Sequence, residues 1–139
     1  MRLMRSKAAE DWLAESARTA NIRDYAAHMD LISRNVQVHG VPGFDVLGYD
    51  DWARQCRHEF ETGVLKAVRY DGCKVRVMTP GRVMFKTVET VEGTDGTVNV
   101  NPIEVLLEKE SDGKWRVVQE RIITSEEYDF EPRSGAYAP

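Results

Sequence analysis

An α+β fold, helices first and a curved, mostly antiparallel sheet after them, is predicted by three features of this sequence. Within residues 6–61, apolar side chains recur at helical spacing in three separate stretches. From Val64 onward the period falls to two. The longest extended run, Val98 to Thr124, turns back on itself at Ser111-Asp112-Gly113-Lys114, where Asp-Gly supplies the backbone angle of a tight hairpin.

The first helix is predicted from about Ser6 to Ala20. Ala9, Trp12, Leu13, Ser16, Ala17 and Ala20 form one stripe, and Glu10, Asp11, Glu15 and Arg18 lie opposite. Ser6 suits the N-cap, and the early acidic residues suit the helix dipole. Trp12 anchors the stripe. A second helix is expected at once, capped by Asn21 with Asp24 three residues on, and with Ile22, Tyr25, Ala26, Met29 and Ile32 inward. His28 and Asp30 fall on the two edges of that stripe.

Val36-Gln37-Val38-His39 alternates as a short strand and breaks at Gly40-Val41-Pro42-Gly43. A third helix is predicted over Tyr49 to Glu61, with Trp52, Ala53, Cys56 and Phe60 inward and Arg54, Arg57, His58 and Glu61 outward. Strands follow at Val64–Tyr70, Cys73–Thr79 and Val83–Val91, with turns at Asp71-Gly72 and Pro80-Gly81. In the closing hairpin Ile103, Val105 and Leu107 alternate with Glu104, Leu106 and Glu108. Leu106, Val118 and Ile122 make the second sheet face partly apolar, which points to a homodimer through the outer sheet face. Residues 1–124 form one domain in this reading and residues 125–139 a C-terminal tail, whose Tyr128, Phe130 and Tyr137 could lie across the sheet or a neighbouring subunit.

The chain has 139 residues, 42% of them hydrophobic, and a formal net charge of -4. That is enough for one core, and the charge balance argues against a non-specific hold on nucleic acid or anionic lipid. No segment approaches membrane-spanning length, so a cytoplasmic protein is expected. Cys56 and Cys73 lack metal-type spacing and read as small buried hydrophobes. No metal site and no cofactor is expected: phosphate-loop and dinucleotide fingerprints are absent, since the glycines sit in turns between strands.

Taken together, Leu31 to Gly40, Gly48, Lys74-Val75-Arg76-Val77-Met78, Val83-Met84-Phe85-Lys86-Thr87, and Val105 to Lys109 through Asp112-Gly113-Lys114-Trp115-Arg116-Val117-Val118 resemble the nuclear-transport-factor-2-like superfamily, in its SnoaL-like and ketosteroid-isomerase-like branch. The resemblance runs from about Ala8 to Ile123. It implies a cone: three helices in the concave face of a strongly curved sheet, around an apolar pocket open at the wide end. Its members include isomerases, dehydratases, cyclases and binding modules. The resemblance places the isomerase carboxylate at the end of the first strand, where this chain has His39-Gly40. It places the helix-one tyrosine near Ser16, leaving no phenol there.

In such a pocket a buried carboxylate or a neutral histidine can move protons near neutral pH. The candidate acid–base residues are His39, Asp30, His28 and Tyr25, with Glu120 a further carboxylate. Trp12, Ser16, Tyr25, Met29, Trp52, Phe60, Phe85 and Trp115 are expected to line the pocket. Three functions fit: a dimeric pocket protein for a small, mainly apolar molecule, an isomerase-, dehydratase- or cyclase-type enzyme, and a protein-association module.

Overall fold

A computed structural model describes residues 4–130. Helix α1 (Lys7–Asn21) begins where the sequence places it, with the Ser6 hydroxyl accepting the Ala9 backbone N–H at 3.1 Å. Its stripe of Ala9, Trp12, Leu13, Ser16, Thr19 and Ala20 is buried. The Trp12 indole N–H donates to the Leu31 carbonyl at 3.1 Å, which ties α1 to the chain entering the sheet.

Helix α2 is a single short stretch, Tyr25–Met29, and its cap is Asp24 instead of Asn21. The helical stripe expected from Ile22 fails because Ile22 closes α1 and stays exposed, while Arg23 turns the chain at φ 57°. Asn21 has other work. Its side chain accepts the Val68 N–H at 2.7 Å and donates to the Val68 carbonyl at 3.1 Å, so it pairs with the sheet as a strand residue would.

Strand β1 (Ile32–His39) is longer than expected, and α3 (Tyr49–Thr62) follows it. Four strands complete the sheet: β2 (Leu65–Thr79), β3 (Arg82–Gly93), β4 (Val98–Lys109) and β5 (Trp115–Ile122). The order is β1-β5-β4-β3-β2. Only β1 and β5 run parallel; the other pairs are antiparallel. Two strands expected around an Asp71-Gly72 turn are one strand, because both halves pair with β3. Asp71 to Lys74 instead forms a bulge, with Gly72 at φ 80° and the Thr87 hydroxyl donating to the Asp71 and Gly72 carbonyls at 3.2 and 2.6 Å. Bulges of this kind bend a strand and raise its twist. Three of them curl β2 around the helices.

The core lies on the concave face, where Val83, Phe85, Ile103, Val105, Leu107 and Val117 are buried under α1 and α3. Ile122, expected on the outer face, packs against this core because its partner across the ladder is Ile103. Polar groups occupy much of the outer face. Lys86 is fully buried there, and its ammonium donates to the Glu127 and Phe130 carbonyls at 2.6 and 3.2 Å. Arg121 bonds to both Glu104 and Glu127.

Those bonds seat a one-turn helix, α4 (Ser125–Asp129), in the segment read as a tail. Tyr128 lies across the sheet, with the Lys74 ammonium 4.1 Å from its ring centroid, and Phe130 is exposed. Tyr137 lies outside the described residues. Among the described residues no helix is long and apolar enough to cross a membrane.

Candidate functional site

Between α3 and the concave face of the sheet lies a cavity of about 250 Å³, open on one side. Trp52, Cys56, Glu59 and Phe60 of α3 form one wall, and Val38, Leu65, Val68 and Val91 from the strands give the facing wall an apolar surface. Three polar groups interrupt that surface: Tyr70 of β2, Glu89 of β3 and Glu120 of β5.

Register explains why they meet. Tyr70 and Glu89 are direct partners across the β2–β3 ladder, so both side chains project from the same face. Along β3 the side chains of Val83, Phe85, Thr87, Glu89 and Val91 share that face by the two-residue period. Glu120 is the partner of Val105 on β4 and of Val38 on β1, and the curl of the sheet turns it toward Glu89. Each is half-buried, and the surface left to it faces the cavity.

This enclosure sets the protonation. Burial and the neighbouring Glu89 charge push the Glu120 carboxyl up to about 8. Burial raises Glu89 too, while the neighbouring Tyr70 phenol favours its ionised form. Of the pair, Glu89 therefore gives up its proton before Glu120 does. Glu120 has no hydrogen-bond partner among the described residues.

Ser16 Oγ lies 2.9 Å from the Tyr70 hydroxyl, across 54 residues of sequence. Either hydroxyl can donate in that pair. His28 closes the far end of the cavity. The Thr19 hydroxyl donates to the Glu15 carbonyl at 2.8 Å and lies 2.8 Å from His28 Nδ1, which assigns the ring proton to Nδ1 and leaves Nε2 an acceptor. Burial lowers the His28 pKa from 6.5 to about 4, so the ring is neutral.

No protein-family model matches the sequence, and no curated protein shows significant similarity to it. Solved structures do match the fold. A protein of *NTF2-like* type from Cytophaga hutchinsonii superposes with a TM-score of 0.68 at 13% identity, covering 87% of this chain and 99% of that one. The chain has the nuclear-transport-factor-2-like fold. A Novosphingobium aromaticivorans protein provisionally named a scytalone dehydratase matches at TM-score 0.67 and 12% identity, over 86% of this chain and 83% of that one. A Shewanella frigidimarina protein provisionally named a ketosteroid isomerase matches at 0.64 and 14%, over 85% and 96%.

Within this nuclear-transport-factor-2-like cone, the residues singled out from sequence separate into groups. His28, Trp52, Phe60 and Glu120 line the cavity together. Tyr25, Met29 and Asp30 line a different hollow beside Arg34 and Arg116. Asp30 is exposed there and bridges to Lys114 and Arg116 at 2.7 and 2.9 Å, which holds its carboxyl below the usual range. Trp12 and Trp115 border a hollow on the other side of α1. Phe85 is fully buried in the core. His39 is outside the cavity, 3.3 Å from the Gln37 side-chain oxygen.

Ser16 reaches the site indirectly, through Tyr70. Tyr70 and Glu89 are the members that sequence reasoning missed. One signal was available: Glu89 is a lone carboxylate on the buried alternation of β3. Burial pushes the Cys56 and Cys73 thiols up to about 12 and about 11, so neither is a nucleophile near neutral pH. No group of three or more His, Cys, Asp or Glu side chains able to hold a metal ion occurs among the described residues.

Proposed function

We propose that this chain is an acid–base enzyme for a small, mainly apolar molecule, of the isomerase, dehydratase or cyclase type. The observation that carries this reading is the pair of carboxyl groups that line one cavity wall, Glu89 opposite the Tyr70 phenol and Glu120 beside it with its carboxyl pushed up to about 8. A donor and an acceptor with separated proton affinities on one cavity wall are what proton transfer at neutral pH requires.

Glu89 takes a proton from one atom of the bound molecule. Glu120 delivers its proton to another. Exchange of one proton from Glu89 back to Glu120 restores the starting state, so no cofactor enters the cycle. Trp52, Phe60 and the valines exclude water and hold the apolar body of the ligand. The provisional names of the two neighbouring structures, a dehydratase and an isomerase, point in the same direction.

A panel of small cyclic ketones and alcohols in heavy water tests this reading by mass spectrometry. Deuterium incorporation or loss of water is expected with the native chain and not with Glu89→Gln. Tight binding across the panel with neither reaction would leave a binding protein in place of an enzyme.

A further inference from the structure

We infer that the charge this cavity holds on its ligand is positive: it takes a small organic cation with an apolar body, or a neutral molecule that gains positive charge inside it. The inference rests on the same cavity being the ligand site and adds the chemical class of what enters.

Four carboxyl-bearing residues line the cavity, Asp51, Glu59, Glu89 and Glu120, and no lysine or arginine does. The nearby cations are engaged elsewhere. Arg54 pairs with Asp51, Arg57 stacks over Tyr25 and pairs with Glu61, and Arg23 reaches the Leu65 carbonyl. Asp51 is compensated by Arg54 and by the Gly48 N–H, which leaves Glu59 and Glu89 to set the sign of the field.

The polar hydrogens point the same way. The Ser16 and Tyr70 hydroxyls are bonded to each other and His28 Nδ1 to Thr19, so these groups leave few free donors for a ligand. One Gln55 N–H is likewise given to Glu59 at 3.0 Å. An anion would meet carboxylates across a low-dielectric gap with few donors to offset them. A cation meets Glu89, the unbonded Glu120 carboxyl, and the aromatic rings of Trp52 and Phe60. Glu120 then either releases its proton to solvent beside a ligand already charged, or gives that proton to a neutral one.

Calorimetry with three probes of one size tests the inference on the native chain: phenethylammonium, 2-phenylethanol and phenylacetate. The ammonium is expected to bind about 10-fold or more tightly than the alcohol, and the carboxylate not at all. Glu89→Gln should remove most of that preference, and Phe60→Ala should weaken both. Circular dichroism checks that each variant is folded, and Glu59→Gln gives a second charge change outside the Tyr70 network. Alcohol binding equal to or tighter than ammonium, weakened by Phe60→Ala, overturns the charge inference while the cavity remains the ligand site. Ammonium binding untouched by all three variants, or no binding by any probe, overturns the inference and the cavity reading together.

Discussion

Tyr70 and Glu89 face each other across the β2–β3 ladder, which sets the phenol beside the carboxyl. That neighbour favours the ionised form of Glu89 and breaks the symmetry between two carboxyl groups that burial alone would treat alike. Without it, Glu89 and Glu120 would compete for one proton on similar terms.

Tyr70→Phe is therefore expected to blur the assignment of base and acid. It removes the phenol beside Glu89 and leaves the buried Ser16 hydroxyl without its partner, at a cost of about 1–3 kcal/mol in stability. Urea unfolding measures that cost. Carboxyl-carbon magnetic resonance of the variant should show the Glu89 titration moving upward, and an unchanged titration would show that the phenol does not set it.

Glu120→Gln is expected to stabilise the chain at alkaline pH. The native carboxyl titrates at about 8, against 4.5 for the free group. Between those values the folded state keeps a proton that the unfolded state has released, so stability falls as pH rises through the window. A neutral amide lacks this loss. The variant should melt higher than the native chain at pH 8 and nearly level with it at pH 5, and equal behaviour at both would contradict the shift. Such a gain paired with lost turnover is the usual mark of a functional group held against its preference.

His28 acts in the opposite sense. Its pKa falls from 6.5 to about 4 on folding, so the unfolded chain takes up the proton first as pH drops. Stability is complete above 6.5 and is lost toward 4, by on the order of 3 kcal/mol. His28→Gln should flatten this acid limb in urea unfolding at pH 7 and 4.5. An equally steep loss in the variant would assign the acid sensitivity elsewhere.

Much of the architecture was legible in the sequence, because the features that set it are local. Ser6 and the Trp12 stripe fix α1, the inward residues of α3 repeat at helical spacing, and Asp112-Gly113 closes the β4–β5 hairpin. The errors also have local causes. Gly72 reads equally as a turn or as a bulge, and only the pairing of both halves of β2 with β3 decides it. Asn21 looks like a cap until its bonds to Val68 are seen.

The site was less legible, since Ser16, Tyr70, Glu89 and Glu120 come from four elements and are joined only by cross-strand register and curl. His28 and Glu120 stood out as titratable groups among apolar neighbours. Asp30 stood out in the same way, yet a surface ion-pair network with Lys114 and Arg116 claims it.

The outer face offers a separate test. Lys86→Met removes the donor to two α4 carbonyls from a fully buried position, and is expected to cost about 1–3 kcal/mol and open α4 to protease. An intact α4 in limited proteolysis would show that Lys86 does not hold it. Pairing of two copies is proposed for the half-buried Leu106 and Val118 beyond α4, and Leu106→Asp should then give monomers in sedimentation. A sedimentation profile unchanged by that charge would remove this surface as the interface.

The central claim is that one carboxyl of the cavity, Glu120, keeps its proton at neutral pH. Infrared spectroscopy of the native chain and of Glu120→Gln across pH 5 to 9 reads it directly through the carbonyl stretch of a protonated acid. A protonated-acid band present at pH 7, lost near pH 8 and missing from the variant is the expected result. Carboxyl groups that have all ionised by pH 6, with identical spectra for the two proteins, would contradict the account.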